Sequence, residues 1–331
     1  MREVTVVGAG VVGLTIATEL AERGVPLRLF DAGGEPGPHA CSWWAGGMLA
    51  PFCERESAEE AVVRLGQEAA DWWDRHTTSV IRQGSLVVAL TRERRELDRF
   101  ARRTSNHRRL GPAEIAALEP ALERRISDAL FFEAEAHLDP RTALSALVEG
   151  LARRGIEIER RHFEVTAAER DRLIVDCRGL AAADTLRDLR GVKGEMLLLR
   201  SQEVSLSRPL RLLHPRHPLY IVPRGQGVFM LGATQIESGE RRRVTARSLL
   251  ELLSAAYALH PAFGEAEVLE MGADARPAFP DNLPRIRRRG NLLYVNGLFR
   301  HGFLLAPALA RQLADWITKG SRPEVLDEDQ D

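Results

Sequence analysis

Glu3-Val-Thr-Val-Val-Gly-Ala-Gly-Val-Val-Gly-Leu14, read on to Asp31, decides the fold of this 331-residue chain. Glu3 to Val7 is a short β-branched run, and Gly8-Ala-Gly10-Val-Val-Gly13 follows it at once. Leu14 to Arg23 carries apolar residues at helical spacing and stops at Gly24; Val25 to Phe30 reads as a second buried strand. Strand, G-x-G-x-x-G, helix and strand form the dinucleotide fingerprint. Asp31 ends the second strand 18 residues after Gly13, close to the ~20-residue spacing of that pattern. Gly8 permits the tight turn, Gly10 lets backbone N–H groups approach a pyrophosphate, and Gly13 lets helix and strand lie close. The phosphates then meet the positive end of the helix dipole. Asp31 would accept from ribose hydroxyls and disfavours a 2′-phosphate, which argues against NADP. The motif alone leaves NAD and FAD both open.

Around this segment the chain reads as ordinary globular protein, 44% hydrophobic and 28% charged, long enough for two cores. A net charge of −1 gives no case for nucleic acid or an anionic membrane as the main partner. Basic charge is nearly all arginine, since Lys193 and Lys319 are the only lysines, so a Schiff-base or P-loop lysine is hard to place. Three cysteines, Cys41, Cys53 and Cys177, show no C-x-x-C and no zinc spacing. A reducing compartment fits, no metal site is suggested, and the first strand begins too early for a signal peptide. No apolar run is long enough to span a bilayer, so the cytoplasm is the expected location.

Cys41-Ser-Trp-Trp-Ala-Gly-Gly-Met-Leu-Ala-Pro51 packs small residues among two tryptophans, and its paired glycines imply close backbone approach. Ser57 to Arg82 reads as one helix with Val62, Leu65, Ala69, Trp72, Trp73 and Val80 as its core stripe. Strands are expected at Gly84–Leu90, Asp128–Phe132, Gly155–Glu159 and Arg172–Gly179, with helices after Thr91, at Pro112–Leu118 and from Thr142 to Arg154. Between Val192 and Ile236 the grammar changes to strands at Lys193–Leu199, Tyr220–Pro223 and Val228–Thr234 in quick succession, which is antiparallel sheet. A helix from Thr245 to Leu259, a strand at Glu267–Gly272, a strand at Asn291–Val295 and a helix from Phe303 to Lys319 complete the pattern, and the acidic tail from Glu324 reads as frayed.

The opening segment, Ser42 to Pro51, Tyr220-Ile-Val-Pro-Arg224, Arg276-Pro-Ala-Phe-Pro-Asp-Asn-Leu-Pro284 and Gly297-Leu-Phe-Arg-His-Gly-Phe-Leu-Leu-Ala-Pro307 stand here in a familiar order. Together they resemble the D-amino acid oxidase superfamily, most closely the glycine oxidases of bacterial thiamin biosynthesis, over nearly the whole chain. The resemblance implies an α/β fold: a Rossmann-like FAD-binding domain with an interleaved antiparallel-sheet α+β substrate domain. The expected division is residues 1–82, 137–186 and 285–325 for FAD, 83–136 and 187–284 for substrate, and 326–331 as a frayed tail. The cofactor it implies is FAD, held non-covalently, because no cysteine follows Cys177 to serve as the attachment point used by some relatives.

Carried over by position, Val11, Val12, Asp31 and Ala32 would touch the ADP half, with a backbone contact near Val165 at the adenine. Ser42, Gly46, Gly47 and Met48 would line the isoalloxazine and its linker. Leu298, Phe299, Arg300, His301, Gly302, Phe303 and Leu304 would run under the flavin pyrimidine, with Arg276, Arg300 and Tyr220 facing the substrate. A helix starting near Gly302 would aim N–H groups at flavin N1, where negative charge gathers on reduction. Arg276 offers a planar fork for a carboxylate. A loop-orienting role for Arg300, a strand-packing role for Tyr220 and a catalytic-base role for His301 stay open. His301 departs from an asparagine, and Leu213 from a tyrosine, of some relatives. The implied reaction is oxidative deamination of glycine, sarcosine or D-alanine by hydride transfer to flavin N5, with molecular oxygen as acceptor, peroxide as by-product and thiamin's thiazole as destination. A dehydrogenase passing electrons to a quinone or carrier is the alternative, and a homo-oligomer remains open.

Overall fold

The computed structural model describes residues 3–164, 172–214 and 218–328. The opening strand Val4–Val7 lies inside a seven-stranded sheet. It pairs in parallel with Leu27–Asp31 on one side and Leu173–Asp176 on the other. Ile158–Arg160 extends the first edge; Leu292–Asn296, Arg285–Arg289 and Leu326–Glu328 extend the second. The opening helix Val11–Glu22 packs on the closing helix Gly302–Lys319, and both bury apolar faces against this sheet. Parallel strands covered on both faces need the near-continuous apolar runs seen in Val4–Val7 and Leu173–Asp176.

A second, nine-stranded sheet runs Ile236–Glu237, Arg190–Arg200, Val228–Gly232, Leu219–Pro223, Leu210–Leu213, Ser85–Ala89, Ala129–Phe132 and Arg108–Leu110, and Glu267–Ala278 also pairs with Arg190–Arg200. Its registers around Leu197↔Leu231 and Tyr220↔Gly232 are antiparallel, as the sequence grammar predicts. The helix Ala246–Leu259, capped by the Thr245 side chain, helps cover its core.

Three expectations are corrected. The stretch from Ser57 to Arg82 is two helices, Glu60–Gly66 and Ala69–His76, followed by extended chain. They part at Gly66, where a Cβ would come within 2.8 Å of Leu304 on the closing helix. Leu210–Leu213, unread from the sequence, joins Ser85–Ala89 in parallel and Leu219–Ile221 in antiparallel pairing. The tail is not frayed from residue 326: Leu326–Glu328 pairs with Ile286–Arg288, and Arg287 donates to Asp327 at 2.9 Å. No helix among the described residues is long and apolar enough to cross a membrane.

Candidate active site

The opening glycines do separable work. Gly8 sits at φ +104° with a virtual Cβ 2.6 Å from the Cys177 carbonyl, a position only glycine fills comfortably. A Cβ on Gly13 would lie 1.7 Å from the Gly8 carbonyl oxygen, so Gly13 sets the helix-to-strand contact and is not on the cavity wall. Gly10 is the N-cap of the opening helix, makes no side-chain cap and keeps 3.3 Å between a virtual Cβ and Ser42 Oγ. Ser42 accepts from the Val11 amide at 2.9 Å, tying the Cys41–Trp44 turn to the helix start. Asp31 accepts from the Ala9 and Gly33 amides, both at 2.7 Å, so it shapes the loop on whose wall it stands.

One cavity of about 1210 Å³ collects these groups. Gly8, Gly10, Val11, Val12, Asp31, Ala32, Ser42, Gly46, Gly47 and Met48 border it, as do Leu298 to Leu304, Tyr220 and Arg276. Val165 lies outside the described residues. Leu213 is off the wall, packed against the buried cluster that contains Ala89, Leu97 and Phe100, and Arg211, two residues earlier on its strand, borders the wall instead.

Backbone fit, not bulk, positions the middle of the site. Gly47 adopts φ +68°, and a Cβ there would meet the Leu138 carbonyl at 2.2 Å. Arg224 holds that loop by donating to the carbonyls of Leu138, Ala45 and Gly46 at 2.6, 3.2 and 3.0 Å. Tyr220 packs where Gly46 and Gly232 lack side chains, each virtual Cβ lying 2.8 Å from it. Arg276 occupies space left by Gly194, whose Cβ would come within 2.2 Å of the guanidinium, and donates Nη1–H to the Thr234 carbonyl at 3.2 Å. Tyr220 and Arg276 are thus linked through Gly232-Ala233-Thr234.

Arg300 is differently placed. Its Nη2 lies 2.5 Å from Glu54 Oε2 and donates to Ser57 Oγ at 2.7 Å. Nε2 of His301 lies 2.9 Å from the same carboxylate oxygen. Burial would raise Glu54, but Arg300, His301 and Arg211 together hold it well below the usual carboxylate range. Burial pulls His301 below an ordinary imidazole, so it stands neutral beside an ionised Glu54. Sequence reasoning missed Glu54, Arg211 and Arg224; in an arginine-rich chain, no spacing marks which guanidinium is inward. Burial, with Asp274 nearby, pushes the Cys41 thiol up to about 12, and burial likewise raises Cys53 and Cys177, which disfavours the thiolate at all three.

A flavin dinucleotide fits this cavity on its donor chemistry. The opening and closing helices both begin on it, and neither N-cap residue, Gly10 or His301, caps its helix with its own side chain; Ser42 takes only the Val11 amide of the first. Their free amides and positive dipole ends suit a pyrophosphate at one end and an electron-rich ring carbonyl at the other.

Comparison with known proteins agrees. The family model described as FAD dependent oxidoreductase matches residues 3–316. A Rhizobium etli protein named for thiamine biosynthesis, the oxidoreductase ThiO, is 56% identical over 319 residues, covering 96% of this chain and 97% of its own. The Bacillus licheniformis glycine oxidase is 27% identical, covering 94% of this chain and 92% of its own. The crystal structure of glycine oxidase from Geobacillus kaustophilus superposes with a TM-score of 0.81 at 23% identity, over 99% of this chain and 97% of that one. The chain belongs to the FAD dependent oxidoreductase family, the D-amino acid oxidase-like flavoenzymes.

Proposed function

We propose that this enzyme oxidises the amine of a small amino acid, glycine being the simplest, with oxygen as electron acceptor. The observation that carries the reading is Arg276, a guanidinium set into the cavity wall by Gly194 and linked to Tyr220 through one short strand end. Arg276 holds the substrate carboxylate in a two-point contact. Met48 and Tyr220 limit the space beside the α-carbon, which favours small side chains. Tyr220, Met48 and the Gly46–Gly47 backbone exclude water from the amine, and no side chain needs to act as base once the amine is neutral. FAD, when bound, would supply the hydride acceptor, so that the amine becomes an imine and oxygen takes the electron pair as hydrogen peroxide. Hydrolysis of that imine gives a 2-oxo acid; its use in thiazole assembly accords with the name of the Rhizobium etli relative. The test is anaerobic flavin reduction by glycine, sarcosine, D-alanine, D-phenylalanine and L-alanine. The small amines should bleach the flavin fastest, by roughly 1–3 kcal/mol per poorly accommodated group. Fastest reduction by D-phenylalanine or L-alanine rejects the reading.

A further inference from the structure

We propose that Arg241 is a positioning residue for substrate capture: its two-point ion pair holds Asp274 away from Arg276 and so keeps the Arg276 fork open for the substrate carboxylate. This rests on the amino-acid-oxidising reading above and adds to it the group that keeps its anion site available.

Asp274 is the acid that Arg276 has to avoid. The two stand two residues apart on the strand Glu267–Ala278, so their side chains leave the same face, and both border the cavity. Gly194 lies directly opposite Asp274 in the antiparallel register with Arg190–Arg200. Residues paired in this way carry Cβ atoms about 4.5–5.5 Å apart. Cζ of Arg276 lies 2.4 Å from where a Gly194 Cβ would be. The guanidinium therefore rests over the position that faces Asp274, and a turn of either side chain is enough to join them. Cys41 registers all three groups: Asp274 raises its thiol while Arg276 and Arg241 lower it, so the carboxylate and both guanidiniums share one neighbourhood.

Arg241 forestalls the wrong pairing. Its Nε donates to Asp274 Oδ1 at 2.6 Å and its Nη2 to Oδ2 at 3.0 Å, a fork-on-fork contact that occupies both oxygens. The Ala275 amide adds a bond to Oδ1 at 2.7 Å, and Asp274 is buried. Arg241 is itself tied down, since Nη2 also donates to the His39 carbonyl at 2.9 Å. Its neighbour Glu240 accepts from the Arg242 and Arg243 amides and lies 2.6 Å from Lys193 Nζ, a buried ammonium that also meets Glu195 at 2.8 Å. The loop that carries Arg241 is thereby pinned to the strand that carries Gly194.

Arg276 shows the result. Among the described residues it donates Nη1–H to the Thr234 carbonyl and has no carboxylate within 4.0 Å, so Nε and Nη2 keep their donors for a ligand. Without Arg241, an unpaired carboxylate would stand in the cavity wall beside an unpaired guanidinium. Each charge is costly alone, and pairing the two relieves both.

The experiment reads capture and chemistry separately in the holoenzyme. Capture is the Kd of acetate, from its perturbation of the flavin spectrum, and the half-saturating glycine concentration in anaerobic flavin reduction; chemistry is the limiting rate of that reduction. Arg241→Gln should raise both capture constants by roughly tenfold or more, which corresponds to Asp274 occupying Arg276 in about nine of ten molecules, and leave the limiting rate within about twofold. Adding Asp274→Asn to that variant should return both constants to within about threefold of native, because an amide does not compete with the ligand's carboxylate. Unchanged constants in Arg241→Gln overturn the proposal, as does a loss that Asp274→Asn does not relieve or a fall confined to the limiting rate. If Arg241→Gln fails to retain FAD, Arg241→Lys carries the comparison. One ammonium cannot hold both Asp274 oxygens, so a loss of roughly threefold, relieved by Asp274→Asn, is expected, and native constants overturn the proposal. Reduction by glycine with constants that do not move removes the role of Arg241 and leaves the oxidase reading standing. Reduction by no amine removes the oxidase reading, and the acetate constants then rule on Arg241 alone.

Discussion

Gly10 and Gly13 belong to one motif yet fail differently. A side chain on Gly10 meets only Ser42 Oγ at 3.3 Å within the protein, so Gly10→Val should fold and lose FAD, because its branches fill the space where a pyrophosphate meets the helix amides. Gly13→Ala places a Cβ 1.7 Å from a backbone carbonyl, which must move; a loss of roughly 3 kcal/mol or more in unfolding free energy is expected. Released-flavin assay and thermal denaturation of the two variants separate the roles, and full FAD retention by Gly10→Val would place the phosphate elsewhere. Arg276 is tested at the same scale. Arg276→Ala should lower kcat/KM for glycine by on the order of 1.5–3 kcal/mol, the worth of a charge-assisted pair, and Arg276→Lys should recover part of it. An unchanged kcat/KM in Arg276→Ala would remove it from the site.

At the scale of elements, the short pair Met48–Leu49 with Ala136–His137 joins the cavity floor to two buried titratable groups. Glu135 accepts from the Cys53 amide at 2.7 Å and from the Ser85 hydroxyl, yet burial, reinforced by the charge of Glu54, lifts it to about 8. His137 is pulled down to about 4 by burial and by Arg224. Between the ordinary carboxyl value and 8 the native state binds more protons at Glu135 than the unfolded chain, so stability falls as pH rises. Between 4 and the ordinary imidazole value the native state binds fewer protons at His137, so stability rises with pH. The two slopes oppose below about pH 6.5, and above it only the decline from Glu135 remains. Glu135→Gln keeps an acceptor for the Cys53 amide and should flatten that decline, raising Tm at pH 8 by roughly 2–4 °C for each kcal/mol recovered. Parallel Tm–pH curves for native and variant would sink this account.

The elements also show where sequence grammar reaches. Val4–Val7, Pro112–Leu118 and Thr245–Leu259 carry their own period and stop signals, and the structure has them nearly as read. The close approach of Gly66 to Leu304 joins positions far apart in the chain, and Leu210–Leu213 is too short to show a period until Ser85–Ala89 lies beside it. The site divides in the same way. The glycines sit in a motif with its own local logic and Arg276 in one that the family resemblance marks, whereas Glu54, at the end of the helix Pro51–Glu54, and Arg211, on the strand Leu210–Leu213, acquire their meaning only when the fold brings them to one wall.

For the whole molecule, the cavity is bordered by residues of both large sheets: Val7, Asp31 and Val295 from the seven-stranded one, Arg211, Tyr220 and Arg276 from the other. Each sheet has its own apolar core. A ligand that touches both walls binds the assembled fold and not the unfolded chain, so it must stabilise by RT ln(1 + [L]/Kd), about 2.7 kcal/mol when free FAD stands at 100 times its Kd. Flavin-free protein should therefore melt at lower temperature than the holoenzyme, with Tm rising continuously on titration with FAD. Gly10→Val should melt near the flavin-free native protein and show no rise, since its loss is of binding and not of folding. Adenosine diphosphate, which can reach only the wall formed by Gly8 to Ala32, should raise Tm less than FAD does. Equal stabilisation by the two would mean that the second sheet contributes no binding free energy, and would divorce Tyr220 and Arg276 from the flavin end of the cavity.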